Sequence, residues 1–202
     1  MLITEEMDRF LDELPSDNYF AYIGLTTKIE NPFRDKFAYY LHKKYSNELL
    51  IAREHMSSDV KRIDLAVLNK ENQKITDTIE FKACYAFDIV KNKQYKKNII
   101  NDYKKYRNLN IDFNQWFILL SVRISNKTKD IYSNIIKYQE NQNKLFNTIP
   151  EYSDQYKSEV ENIKNWFVND KNIQYEYCKE KPIGESFETK VFLDYFIFKR
   201  NK

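Results

Sequence analysis

Apolar residues recur along this chain with two different periods, and the points where the period changes divide it into elements. Phe33, Phe37, Leu41 and Tyr45 stand at i, i+4, i+8 and i+12, which lays them along one face of a helix. Asn31 is read as its N-cap and Pro32 as its first residue, where proline's missing N–H costs nothing. Residues 4–14 form a shorter predicted helix, capped by Thr4, with Glu5 and Glu6 at its positive end and Pro15 as its stop. The apolar run 19–25 reads as a strand or a packed loop. Three strands are then predicted, Glu48–Glu54, Val60–Leu68 and Ile75–Ala83. Short polar turns join them, so they should form an antiparallel meander.

The helical period returns from about Ile89 to Arg107, with Tyr95, Ile99, Tyr103 and Tyr106 as the apolar stripe. Trp116–Leu120 is apolar at every position, as expected of a strand buried on both faces. Strand, helix and buried strand make a βαβ unit with a right-handed crossover. Two helices follow, at about 130–147 and 153–169, the second capped by Ser153 and striped by Tyr156, Val160, Ile163 and Phe167. Strands at about 173–179 and 189–199, joined through a Pro182–Gly184 turn, end the chain. Nearly every residue of Val191–Phe198 is apolar, so this strand is either central or covered by a partner. Asp194 within it is expected to form a salt bridge at a subunit contact or to face outward. The fold class is α/β: a helix, a three-strand antiparallel meander, a crossover helix and a buried strand, with C-terminal helices and a β-hairpin. The chain of 202 residues is read as a single domain, 1–202, with its core at about 30–124 and an extension at about 130–202.

Composition narrows the chemistry. Two glycines, Gly24 and Gly184, stand alone, where average usage of about 7 % would supply roughly fourteen. A phosphate-cradling glycine loop is therefore excluded. Two histidines and two widely spaced cysteines provide no three-histidine zinc site and no CxxC pair. His55 falls in a tight turn and Cys84 is read as core. Unpaired cysteines suit a reducing, cytoplasmic setting. No apolar run approaches the ~20 residues of a membrane helix, and the acidic, amphipathic N-terminus is not a signal peptide. Any catalysis falls to carboxylates, lysines and tyrosines.

Two of the strands carry acids where an apolar strand has no use for them: Arg62-Ile63-Asp64-Leu65 and Ile79-Glu80-Phe81-Lys82-Ala83. Alternation puts Glu80 and Lys82 on one face and Ile79, Phe81 and Ala83 on the other. With the hairpin loop centred near Asn72, Asp64 and Glu80 are equidistant from it and lie opposite each other. Opposed carboxylates destabilise a sheet unless positive charge lies between them. A divalent cation such as Mg²⁺, which takes one or two carboxylates and keeps water and phosphate oxygens, meets that need.

The pattern resembles the PD-(D/E)XK nuclease superfamily, whose restriction-endonuclease-like core is a helix, a three-strand meander, a crossover helix and a further strand. The resemblance covers residues 30 to about 124, nearly half of the chain. Asp64 matches the first acid of the motif, Glu80 the second and Lys82 the lysine, while Ile63 replaces the proline that precedes the aspartate. It implies hydrolysis of phosphodiester bonds in DNA by a Mg²⁺-dependent endonuclease, with Mn²⁺ as a substitute. Asp64, Glu80 and the backbone carbonyl of Phe81 would hold the metal, and Lys82 would orient or activate the attacking water. The additional glutamate that such enzymes often use is Glu30, with Glu54 as a rival.

The net charge of +3 does not by itself indicate a nucleic-acid partner. Between Lys91 and Arg107, however, seven basic residues accompany a single acid, Asp102. Lys93, Lys97 and Lys104 on this helix could follow a phosphate backbone. Cutting both strands of a duplex calls for two active sites, hence a homodimer, with the C-terminal helices and the strand 189–199 as the expected interface. A type II restriction or defence role is expected. The alternatives are a non-cleaving nucleic-acid-binding module on the same fold and a structure-selective nuclease of recombination or repair.

Overall fold

A computed structural model describes residues 2–14, 18–56, 62–91, 93–104, 112–148, 154–165 and 173–200. Within some helices and strands it describes the backbone but not every side chain. Six strands form one mixed sheet in the order β1-β2-β3-β4-β6-β5. They are β1 (Leu49–His55), β2 (Ile63–Asn69), β3 (Ile75–Tyr85), β4 (Asn114–Ile124), β5 (Ile173–Ser186) and β6 (Thr189–Arg200). Only β3 and β4 run parallel; the other neighbours are antiparallel. Asp77 pins the start of the parallel pair, accepting hydrogen bonds from Trp116 Nε1 and Asn114 Nδ2, both at 3.0 Å. Among the described residues no helix is long and apolar enough to cross a membrane.

Helices cover both faces of the sheet. Phe81, Ala83 and Tyr85 of β3 join a core with Phe10 of α1 (Ile3–Glu13), Phe20 of α2 (Tyr19–Thr26), and Phe33 and Phe37 of α3 (Glu30–Tyr45). On the other face, Cys84, Phe117, Leu119, Phe196 and Phe198 pack against α4 (Ala86–Lys91), α5 (Lys93–Lys104) and α7 (Asp154–Asn165). Helix α6 (Gln139–Thr148) joins a smaller cluster in which Leu145 meets Ala86 and Tyr156. Phe33 and Phe37 each approach the Phe81 ring at 6.2 Å between centroids. These contacts dock α3 on β3 and thereby fix where the first turn of α3 lies.

Several expectations are corrected. The run 19–25 is a helix, not a strand: its buried residues Phe20, Ala21, Gly24 and Leu25 follow helical spacing toward the sheet. Helix α3 starts at Glu30 with Ile29 in the cap position and no side-chain cap bond, so Asn31 does not cap it. Pro32 is tolerated because the first-turn N–H groups lack intrahelical partners anyway. Leu2, not Thr4, occupies the cap position of α1. The single helix read over 89–107 is two helices, α4 and α5. The segment read as a helix from 130 opens with a 3-10 turn, Asp130–Tyr132, and becomes α-helical only at Gln139.

The final hairpin turns at Phe187-Glu188, where φ is 51° and 57°, and not at Pro182–Gly184, where the register of β5 shifts. Two residues of positive φ suit the right-handed strand twist of a tight hairpin. Strand β6 is central, paired with β4 and β5, so its apolar residues are explained within the chain and require no subunit contact. Asp194 is likewise internal and 5 % exposed, paired with buried Arg123 at 3.4 Å and accepting a hydrogen bond from the Tyr156 hydroxyl. Burial pushes its carboxyl up, against the opposing pull of Arg123 and Tyr156. The proposed caps and stripe residues Ser153, Phe167 and Tyr106, and the turn residues 57–59, lie outside the described residues.

Candidate active site

The β2–β3 ladder approaches the site through the pairs Val67–Asp77, Ala66–Thr78 and Leu65–Ile79. The paired register ends at Leu65–Ile79, one step short of Asp64 and Glu80, the positions that equal spacing from Asn72 sets opposite each other. The strands stop exchanging backbone bonds there. The Phe81 N–H donates instead to Asp64 Oδ2, at 2.9 Å. Two residues on, the same edge of β3 is met by a second carboxylate: the Ala83 N–H donates to Glu30 Oε2 at 2.8 Å. Residues i and i+2 of a strand present their N–H groups to the same side. Asp64 and Glu30 thus cap two successive donors that a neighbouring strand would otherwise use.

Lys82 lies between these donors in sequence and on the opposite face from Phe81 and Ala83. Its Nζ is 2.6 Å from Asp102 Oδ2 of α5. Burial pulls the ammonium down, but Asp102, then Glu30 and Asp64, outweigh it and leave the pKa above the ordinary lysine value. Lys82 is therefore charged at neutral pH. In this setting it can orient a water or offset developing negative charge. Burial pushes the Glu30 carboxyl above the usual range, with Asp64 adding to the rise, while the Ala83 N–H and Lys82 oppose it.

Glu80, half-buried, shares the Lys82 face and lines a narrow space with Tyr103, Trp116 and Arg200. Phe81 places its ring in the core, so only its backbone can serve the site. Glu54 does not reach β3. It is paired with Arg62 at 2.9 Å and Arg34 at 3.4 Å. Of the two rivals for an additional acid, the structure brings Glu30 to the strand and leaves Glu54 behind Arg34. His55 is the last residue of β1, paired with Ile63, and is not in a free turn. Lys97 is exposed on α5. Lys93 and Lys104 lie on the same helix, with side chains outside the described residues.

Sequence reasoning missed two residues. Arg34 is 5 % exposed and 3.8 Å from Asp64 Oδ1, with Asp35 and Glu54 as further partners. Its signal was the i, i+4 spacing from Glu30, which puts both on one helical face. Asp102 was visible as the single acid of a basic helix, yet nothing local indicated that Lys82 would be its partner.

Asp64 and Glu30 supply oxygen donors of the kind a hard divalent cation takes. Each commits one oxygen to a backbone N–H; the second Asp64 oxygen lies 3.8 Å from Arg34, and a carboxylate has lone pairs to spare. Among the described residues no group of three or more histidine, cysteine, aspartate and glutamate side chains is arranged to hold a metal. Two carboxylates and a carbonyl, completed by water and substrate oxygens, are what Mg²⁺ uses. Comparison with protein-family models, curated proteins and solved structures finds no match.

Proposed function

We propose that this chain is a Mg²⁺-dependent DNA endonuclease with a restriction-endonuclease-like core, acting as a homodimer in restriction or defence. The observation that carries the reading is the pair of carboxylates, Asp64 and Glu30, held on the Phe81 and Ala83 N–H groups beside a charged Lys82. Three separate elements supply these groups, and a merely solvated hairpin face has no need of them. Asp64 and Glu30, with the Phe81 carbonyl, would hold the metal, which when bound lowers the pKa of a water and polarises the phosphate. Glu80, which lines the neighbouring space with Tyr103 and Arg200, would reach it only through water. Lys82 orients the attacking water and offsets the charge that gathers on phosphate oxygens. Asp102 keeps that ammonium in place. Lys93, Lys97 and Lys104 on α5 contact the DNA backbone.

A second reading has its own support. Arg34 beside Asp64 and Asp102 beside Lys82 balance the site's charges without any metal, which suits a non-cleaving nucleic-acid-binding module. Supercoiled plasmid with Mg²⁺ separates the two. Nicking or linearisation that disappears with EDTA and in Asp64→Ala and Lys82→Ala supports the nuclease. Wild-type protein that binds DNA but leaves DNA and RNA intact with Mg²⁺ and Mn²⁺ supports the binding module.

A further inference from the structure

A cavity of about 340 Å³ opens directly beyond the candidate site. Ala83 and Tyr85 of β3 line one side, and Lys28 and Ile29 line another. Ala83 and Ile29 are the chain neighbours of Lys82 and Glu30, so the cavity begins where the site ends. Tyr85 is three residues from Lys82, about 10 Å along the strand.

The lining is aromatic and pre-arranged. Tyr85 and Phe87 lie parallel, with centroids 5.4 Å apart and an interplanar angle of 4°. Tyr138 stands edge-on to both, at 5.5 and 5.9 Å. The Tyr85 hydroxyl donates to the Thr27 carbonyl at 3.0 Å, and the Asp88 carboxylate accepts the Tyr85 N–H at 3.0 Å. These bonds hold the wall in its present shape. Tyr138 adds a second, independent observation. Its φ is 57°, a left-handed conformation disfavoured for a bulky side chain, yet it is 46 % exposed. The conformation lies at the turn into α6, where the Tyr138 carbonyl accepts the Gln142 N–H at 3.0 Å, and it leaves the ring accessible beside the cavity. Exposed Lys28 and Asn141 also line it, supplying a cation and an amide that both donates and accepts, beside Tyr95 and the Asp88 carboxylate, which the Tyr85 N–H engages.

We propose that this cavity receives one unstacked nucleobase of the nucleic acid whose backbone passes Lys82. The identity of the ligand rests on the nuclease reading. The volume lies at the lower end of small-molecule sites, suited to a single base and part of its sugar. A base can stack on the half-exposed Tyr138 ring at the edge of the Tyr85–Phe87 stack, with the Asn141 amide at its polar edge, which is how extruded bases are held. Aromatic stacking favours any base, so the pocket by itself contributes affinity and extrusion more than sequence choice.

The test measures binding in EDTA, so that nothing is cut. A fluorescently labelled oligothymidylate is compared with an abasic oligonucleotide of equal length and charge. The thymidylate should bind about tenfold more tightly or better. Tyr138→Ala should remove most of that difference and Tyr138→Phe should keep it, both with unchanged circular dichroism. Phe87→Leu, which keeps an apolar side chain without the ring, should act as Tyr138→Ala does. Equal binding of the two oligonucleotides by wild-type protein overturns the proposal even if plasmid is cut with Mg²⁺. Base-dependent binding lost in Tyr138→Ala sustains it even if no plasmid is cut, in which case only the nuclease reading fails.

Discussion

The carboxylate of Asp64 takes the backbone N–H of Phe81 where the β2–β3 ladder ends, so one side chain both terminates a strand pairing and adds to the negative charge that holds Lys82 protonated. Structure and chemistry can be separated at this position. In Asp64→Asn the amide oxygen still accepts from Phe81, and the melting temperature should stay within a few degrees of wild type. Cleavage should fall at least 100-fold, because a neutral amide is a poor ligand for Mg²⁺. Asp64→Ala should lose activity equally and also lose about 1 kcal/mol of stability, the ordinary worth of such a bond. Thermal melts and plasmid nicking read the two effects independently.

Glu30 and Glu54 should behave differently. Glu30→Gln should reduce cleavage tenfold or more while retaining the bond from Ala83. Glu54→Gln alters only the Arg34 and Arg62 pairing and should leave the rate within about threefold. Initial rates at saturating Mg²⁺ decide the matter, and equal losses in both variants would remove Glu30 from the site.

In the proposed mechanism Asp102 serves as a positioning residue, acting through Lys82 at 2.6 Å. Asp102→Asn should lower kcat about tenfold with little change in KM for DNA, and Asp102→Glu should recover part of the loss. A change in KM alone would instead mark Asp102 as a DNA contact.

A pH dependence of stability is expected from the junction of α1 and α3. Glu6, 2 % exposed, accepts from Lys44 Nζ at 2.7 Å and Tyr40 Oη at 3.0 Å. Burial raises its carboxyl, but Lys44, Tyr45 and Tyr40 outweigh this and hold it below the ordinary value. The bond to Glu6 pushes the Lys44 ammonium up to about 12. A lowered acid contributes stability above its unfolded pKa and loses it as pH falls through the folded one. A raised lysine contributes fully below its unfolded value and loses it as pH rises through about 12. Glu6→Gln should therefore cost about 1–2 kcal/mol at pH 7, and the gap from wild type should close below about pH 4. Urea titrations at both pH values measure it.

Gly184 should not tolerate a side chain. Its φ is 116°, and a Cβ there would lie 2.6 Å from Asn18 Oδ1. The same oxygen accepts the Glu185 N–H at 2.9 Å, tying the start of α2 to the β5 bulge. Gly184→Ala should destabilise by about 2 kcal/mol or more, seen as a fall in melting temperature.

Local physics made much of this molecule legible. Alternation fixed which residues of β3 share the Lys82 face, and equal spacing from Asn72 matched the observed register at Leu65–Ile79. A period of four placed Phe33, Phe37 and Leu41 on the buried side of α3. These are properties of neighbours in the chain, and a strand or helix expresses them wherever it is packed. The run 19–25 had no period to read, so only its packing on the sheet made it a helix. The choice of Glu30 over Glu54 depends on a bond between residues 53 apart, and the Asp102 partner of Lys82 depends on how α5 crosses the sheet. Central placement of β6 is likewise a matter of strand order. No spacing encodes such contacts. They arise when aromatic side chains dock α3 and α5 on opposite faces of one sheet, and that docking brings distant carboxylates and a lysine together.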